Sequence, residues 1–414
     1  MSVQKEGTEA FLEKASEAAE LIRECAGGGN PIYVFSHLDA DGLASAGIIG
    51  KSLARLGTQM CIRIKKWIDE SVVHEIVAEK PSLTVFTDLG AGDLDLLKRI
   101  PSDHRIVVLD HHQLAGESPS TLVHVNPHLH GVDGSRDLSG SGVAYFVAKA
   151  LDGSNVDLAC IAVVGALGDL QDKYQQKLGG VNELIVEDAI KSEHLEIETD
   201  ILLFGRETRP IHKALAYTTN PFIPGISGEE DKSLAFLAGL GITPKHGAKW
   251  RALRDLSEEE KRKMFSSLAD YLVSKGYSSD VAISLIGSVY TLRHEDPWTP
   301  LRDAREFSVL LNAAGRMDKP SLGVAVCMGD RGTALEEANT VLGEYRKTII
   351  KYLDWLNEKP SRIEELSNIY VVRGGSFIKE KMIGTVSSIL SSSLGKLGKP
   401  IVAYSTVSEE DLAK

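Results

Sequence analysis

The run Ser36-His37-Leu38-Asp39-Ala40-Asp41-Gly42 sets one imidazole and two carboxylates within five residues, directly after the apolar stretch 32–35. Carboxylates one residue apart can face different cations if the backbone turns between them, and Gly42 permits that turn. Three more clusters follow. Thr87-Asp88-Leu89-Gly90 again ends an apolar stretch in an acid, although a lone aspartate there also serves as a helix cap. Asp110-His111-His112 follows the stretch 105–109, and adjacent histidines point in different directions, so one can ligate a metal while the other faces substrate. Gly165-Ala166-Leu167-Gly168-Asp169 closes an apolar helical run with an acid, electrostatically poor at a helix C-terminus, and Asp172 competes with it for any role. Aspartates and imidazoles without thiolates suit Mn²⁺ or Mg²⁺ and argue against a structural zinc site.

These clusters need rigid supports, and the pattern around them supplies some. Short β-branched runs at 32–35, 60–64, 83–87, 106–109 and 122–125 alternate with helical patterns at 43–56 and 70–79. That rhythm predicts βαβ units and a mainly parallel sheet, with the acids at carboxyl ends of strands, where open α/β sheets build their sites. An amphipathic helix over 8–26 precedes the sheet, and helical stretches at 142–151 and 157–168 follow it. The middle of the chain reads as largely helical. The tail reads as helix, strand, Gly-Gly turn, helix and strand, a second and smaller α/β unit.

Composition bounds the answer from another side. At 414 residues the chain exceeds one ordinary core. No apolar run approaches the roughly 18 residues of a membrane span, and the acidic, helical N-terminus is unlike a secretory signal. Cys25, Cys61, Cys160 and Cys327 are scattered, as expected of reduced thiols in a cytoplasmic protein. The net charge of −12, with no long Lys/Arg run, means that any polyanion is gripped locally rather than along a basic track.

Taken in order, His37-x-Asp39-x-Asp41-Gly42, Asp88, Asp110-His111-His112 and Asp169 resemble the four motifs of the DHH phosphoesterase superfamily. The resemblance implies two Mn²⁺ or Mg²⁺ ions per site. His37, Asp39 and Asp88 would hold one, and Asp41, Asp88, His111 and Asp169 the other, with Asp88 bridging. Asp110 would orient His111, and His112 would face the scissile phosphate. The segment from Asn126-Pro127-His128 through Ser139-Gly140-Ser141-Gly142 resembles the archaeal RecJ-like branch. Small residues at such a helix start let backbone N–H groups approach a phosphate, which makes Ser139, Gly140 and Ser141 candidate substrate contacts. His128 and His130 could reach the site, although loop histidines are more often solvated. Leu311-Asn312-Ala313-Ala314-Gly315-Arg316 resembles a RecJ-type segment with an arginine near substrate. Arg373-Gly374-Gly375-Ser376 and the stretch 383–388, with Ser387, resemble the DHH-associated C-terminal domain.

The expected organisation is therefore α/β. It comprises a DHH catalytic domain at 1–205, a largely helical connecting region at 206–345 and a C-terminal substrate-binding domain at 346–414. The implied activity is metal-dependent exonuclease action on single-stranded DNA or RNA in replication or repair, with a slight lean to 5′ to 3′ digestion of DNA. The alternatives are an oligoribonucleotide or cyclic-dinucleotide phosphodiesterase, a DHH pyrophosphatase, and a replication-fork scaffold that partners the helicase and the GINS complex. The family's terminal glycine-rich motif ending in histidine does not occur before Lys414, so weak, distributive strand binding is expected.

Overall fold

The computed structural model describes residues 2–218, 221–394, 399–407 and 412–413. The chain forms two compact units: 1–199 with 288–339, and 200–287 with 340–414.

The first unit opens with helix α1 (Ser2–Ala26). Its residues Phe11, Ala15, Ala18, Ala19 and Ile22 repeat every three or four positions and are buried, the stripe that an amphipathic helix sinks into a core. The chain then alternates β1 (Ile32–His37), α2 (Ala40–Arg55), β2 (Met60–Lys65), α3 (Glu70–Glu79), β3 (Leu83–Thr87), α4 (Leu94–Leu97), β4 (Ile106–Leu109) and β5 (Leu122–Val125). All five strands run parallel in the order β2-β1-β3-β4-β5, with Ile32 opposite both Met60 and Leu83. The expected parallel sheet is present. Strands β3 and β4 are buried throughout, which is why they read as continuous apolar runs rather than alternating ones. Tyr33, Phe35, Phe86 and Val108 join Val72, Ile76, Leu94 and Leu97 in one core, on the face covered by α3 and α4. The alternate residues of the pleat face α1, α2 and the next helix, α5 (Gly140–Leu151).

Helix α6 (Ala159–Gly168) is apolar all round and buried, packing against α2, α5 and α7 (Asn182–Lys191). Strand β6 (Leu195–Ile201) follows. Beyond it, α8 (Ile211–Tyr217), α9 (Glu230–Gly239), the short strands β7 (Lys245–His246) and β8 (Lys249–Trp250), α10 (Glu258–Ser274) and α11 (Ser279–Ile283) surround a separate core that includes Ile211, Leu215, Leu237, Met264 and Leu268. Strand β9 (Ile286–Leu292) pairs with β6. The chain continues through α12 (Ala304–Arg316), α13 (Pro320–Cys327) and α14 (Thr333–Asn357). Helices α12 and α13 pack on α2, and α12 also packs on α6.

The tail forms a four-stranded sheet, β10 (Ile363–Glu365), β11 (Tyr370–Gly375), β12 (Ile401–Val407) and β13 (Leu412–Ala413), with α15 (Glu380–Leu394) linking the parallel pair β11 and β12. The expected small α/β unit is present. Among the described residues no helix is long and apolar enough to cross a membrane. All four cysteines are free.

Candidate metal centre

In the sheet order β2-β1-β3-β4-β5 the chain first winds outward from β1 to β2, then crosses to β3 on the other side. The crevice beyond the carboxyl ends of β1 and β3 is the topological switch point, where ligands of open α/β sheets bind. His37 is the last residue of β1, Asp88 follows β3, and Asp110 follows β4. Buried hydroxyls fasten the two strand ends together. Thr87 donates to Ser36 Oγ (2.7 Å), and Ser36 donates to the carbonyls of Gly42 (2.7 Å) and Thr87 (3.0 Å). Polar residues closing apolar strands were the sequence signal for this clasp.

Each acid is placed by its own local device. Asp39 caps α2 and accepts from Gly42 N at 3.1 Å. A side chain at Gly42 would run into the His37 carbonyl at 2.4 Å, so the turn requires glycine. Asp88 takes a left-handed backbone at φ 55, a conformation that aspartate tolerates, while its N–H still donates to Leu109 O at 2.8 Å. Asp41 is fully buried and accepts from Gly140 N (2.6 Å) and Ser141 N (3.0 Å), so the start of α5 neutralises it. Asp169 sits at the C-terminal cap of α6.

Side chains from the ends of β1, β3, β4 and α6 and from the start of α2 converge. His37, Asp39 and Asp88 bring ligand-type atoms within 4.8 Å of one another, and so do Asp41, His111 and Asp169. Asp88 Oδ2 lies 3.6 Å from His37 Nδ1, while its Oδ1 lies 3.2 Å from His111 Nε2. The two oxygens of Asp88 thus face the two groups separately. His111 Nε2 is also 3.3 Å from Asp169 Oδ2 and 3.7 Å from Asp41 Oδ2. His37 Nδ1, Asp88 Oδ1 and His111 Nε2 are buried yet make no hydrogen bond. Buried polar atoms are rarely left so, and a convergent set of carboxylate and imidazole atoms fits divalent cations with oxygen and nitrogen ligands.

The titration of these groups reports the same crowding. Burial raises the Asp41 carboxyl to about 6, and the neighbouring Asp88 charge adds to that. Burial and then Asp41 push Asp169 well above the carboxylate range. Burial disfavours charge on His37, but Asp39 and Asp88 outweigh it and raise the imidazole to about 11. His111 is likewise raised, against its burial, by Asp88, Asp169 and Asp41. Asp39 is half-buried, and against that desolvation His37 holds its carboxyl below the carboxylate range, with smaller help from the Gly42 amide and Arg316.

The histidine pair is held differently from the sequence expectation. Asp110 does not orient the His111 ring. Its Oδ1 accepts from His111 N (2.8 Å) and lies 2.8 Å from His112 Nδ1, while Oδ2 accepts from Ala91 N (2.8 Å). The His111 ring is set instead by the Gly134 carbonyl, 2.7 Å from Nδ1. A side chain cannot readily fold back onto the ring of the next residue when its oxygens already cap that residue's amide. His112 remains 56% exposed at its side chain, with Nδ1 engaged and Nε2 left to face outward, and Asp110 raises its pKa.

The substrate candidates divide. The Gly140 and Ser141 amides are spent on Asp41, and the Ser139 and Ser141 hydroxyls lie 2.9 Å apart, with Ser141 donating to Ala162 O. In this structure these three residues hold Asp41 and one another. Arg316, at the end of α12, gives the Asp39 carboxylate a small electrostatic stabilisation. Gly315 beside it packs against the Leu38 carbonyl so closely that no side chain fits, and Asn312 Oδ1 accepts from Ala40 N at 3.2 Å. Arg373 and Ser376 lie in the second unit, exposed, with Arg373 paired to Glu364 and Tyr404; Ser387 is half-buried on α15. Asp172 is paired with Arg305 and stays outside the cluster. Sequence reasoning placed Asn126 and Gly134 in the RecJ-like segment without a role for either, and missed Gln171. Asn126 donates to His112 O at 3.0 Å, and no periodicity marks such loop contacts.

A parallel α/β unit carrying a carboxylate–imidazole cluster at its switch point defines a metal-dependent phosphoesterase. Residues 31–167 match the DHH family N-terminal domain, and residues 203–286 match the DHH-CID domain. The chain belongs to the DHH superfamily and is a hydrolase of the DHH phosphoesterase type. It is 31% identical over 390 residues to an uncharacterised protein of Methanocaldococcus jannaschii, covering 92% of this chain and 80% of that one. It is 28% identical over 241 residues to the single-stranded-DNA-specific exonuclease RecJ of Thermus thermophilus, covering 55% of this chain but 35% of RecJ. The crystal structure of that RecJ in complex with Mn²⁺ matches with a TM-score of 0.55 at 19% identity, over 95% of this chain and 46% of RecJ. CDC45 from Entamoeba histolytica matches with a TM-score of 0.69 at 13% identity, over 96% and 86% of the two chains. The chain therefore spans less than half of the RecJ length.

Proposed function

We propose that this protein hydrolyses phosphodiester bonds of single-stranded DNA or RNA, shortening strands from one end, in replication or repair. The observation that carries the reading is Asp88, whose two oxygens face two ligand groups on opposite sides. His37, Asp39 and one Asp88 oxygen would hold one Mn²⁺ or Mg²⁺ ion. Asp41, the other Asp88 oxygen, His111 and Asp169 would hold the second. Bound there, such ions supply a nucleophile near neutral pH and offset charge on the phosphate. The chain's own residues do the rest. Asp110, 2.8 Å from His112 Nδ1, raises the pKa of that imidazole and so favours its charged form, which would present positive charge to the scissile phosphate. Arg316 adds a second cation beside Asp39. The RecJ likeness supports a single-stranded substrate and Mn²⁺, and the lean remains towards DNA cut 5′ to 3′ in a cytoplasmic setting.

The test is release of nucleotides from end-labelled single strands in Mn²⁺, run beside dinucleotides, cyclic dinucleotides and pyrophosphate. Asp88→Ala should abolish turnover while the fold survives, because the two ligand groups lose their shared member. A variant keeping more than about a tenth of the wild-type rate, roughly 1.4 kcal/mol of barrier, would sink the bridging assignment. A second reading, a replication-fork scaffold that binds the GINS complex, draws on the CDC45-like fold along nearly the whole chain. Full binding of such a partner by an Asp88→Ala chain, with no wild-type hydrolysis of any phosphodiester, would favour it.

A further inference from the structure

Immediately beyond Asp169 the chain makes a tight series of turns that leaves two large side chains open. Leu170 is 58% exposed and Tyr174 54% exposed, whereas Gln171 and Asp172 between them are buried. Leu170 also holds a left-handed backbone at φ 54, a conformation that a γ-branched residue adopts only when its surroundings impose it, and such residues cluster at functional sites. The shelf is anchored firmly. Gln171 N donates to Ala166 O (3.1 Å), Ser288 N donates to Gln176 O (2.8 Å), and Asp172 pairs with Arg305.

The same anchors reach the metal cluster. Gln171 Nε2 donates to Gly134 O at 2.8 Å, the carbonyl that sets the His111 ring, and Asn182 Nδ2 holds Gln171 Oε1 at 2.7 Å. Arg136, two residues from Gly134, lays its guanidinium 4.5 Å from the centre of the Tyr174 ring, and the Lys173 ammonium lies 4.9 Å from it. More than half of Tyr174 stays open although both cations lean on it.

Resting on the function proposed above, we infer that Leu170 and Tyr174 form a stacking shelf for a base of the bound strand near the scissile phosphate, with Arg136 bracing the ring and Lys173 meeting the backbone. An aromatic ring with adjoining cations is how single strands are held without sequence preference, since every base offers a face and every nucleotide a phosphate. The shelf supplies strand affinity close to the chemistry, as an acidic chain without a basic track requires.

The test uses the full chain with Mn²⁺ and end-labelled single-stranded DNA, intact or with one abasic position moved along the strand. Tyr174→Ala should raise KM for intact strands roughly ten-fold, in the range of one lost base–aromatic stack, with kcat changed less. Tyr174→Phe should restore it. With the abasic residue at the occupied position, wild type and Tyr174→Ala should have the same KM. Because the side chain is exposed, the variant's melting temperature serves as the folding control. Strand cleavage by wild type with an unchanged KM in Tyr174→Ala overturns the shelf alone. Losses that add at every abasic position overturn it too. If wild type neither binds nor cuts single strands, the proposed function falls and the shelf with it.

Discussion

Gly140→Ala tests whether the carboxylates work where the structure puts them. Gly140 opens α5, and its amide donates to Asp41 Oδ2 at 2.6 Å. A methyl group there would lie 2.7 Å from Asp88 Oδ1 and 2.9 Å from Asp41 Oδ2, where ordinary contact begins at 3.4 Å. The two oxygens must retreat by about 0.7 and 0.5 Å, or α5 must shift with them. Asp41 is tied to two amides and Asp88 stands between His37 and His111, so neither yields without moving a ligand position. A misplacement of about 1 Å can cost roughly a hundred-fold in rate, so about ten-fold is expected here, roughly 1.4 kcal/mol. Stability should fall by roughly 0–2 kcal/mol. Alanine gains up to about 1 kcal/mol over glycine in a helix, against about 1–3 kcal/mol for overpacking. The assay pairs Mn²⁺-dependent hydrolysis with Mn²⁺ titration calorimetry and thermal melting. Wild-type turnover and wild-type Mn²⁺ affinity in Gly140→Ala would show that Asp41 and Asp88 do not act from these positions.

His111→Ala should weaken Mn²⁺ binding and be partly rescued by excess Mn²⁺, whereas His112→Ala should keep its metal affinity and lose rate; equal affinities by calorimetry would refute that division. Strand binding, measured with the slow but metal-retaining His112→Ala across a salt series, should show a slope shallower than about −3, as expected for roughly four phosphate contacts or fewer, and a steeper slope would reveal a basic track. The Glu260 carboxyl is held down to about 2, first by Arg251 and then by the Ser257 amide. Its folded pKa lies below the ordinary 4.5, so its contribution is complete above that value and fades as pH falls towards 2. Glu260→Gln should therefore melt earlier than wild type at pH 7, with a gap that shrinks steadily below about pH 4.5, and an unchanged gap at low pH would contradict the ion pair.

The strands were legible because β3 and β4 are buried on both faces and so carry unbroken apolar runs, and their acids stood out as polar residues at strand ends. The cluster of His37, Asp39, Asp41, Asp88, His111 and Asp169 could be read only through the resemblance to the DHH motifs, since Asp169 ends a helix rather than a strand. What each neighbour does to that cluster could not. Ser139-Gly140-Ser141 has the composition of an anion-binding helix start, and it does bind an anion, but the anion is Asp41, 99 residues away in sequence. The partner of Asp110 turned on backbone direction, which brings the carboxylate to His112 Nδ1 and the amides of Ala91, His111 and His112 while Gly134 arrives from a distant loop to take His111. Arg316 showed as an arginine after a glycine. The reason for that glycine, the close approach of α12 to the Leu38 carbonyl, is a packing fact with no local signature.

Net charge posed the hardest question of the sequence, since a chain of −12 without a basic run is an unpromising holder of polyanions. The cluster answers it through its own chemistry. Free of cations, it gathers Asp39, Asp41, Asp88 and Asp169 around one spot, and the strain appears as a raised Asp41 and Asp169 and as protons drawn onto His37 and His111. Two divalent cations held there would carry charge equal and opposite to the four carboxylates and would displace those protons, with His112 and Arg316 beside them. On this reading bound cations would set the charge that the site offers a phosphate group, so an acidic chain could hold one without a basic track.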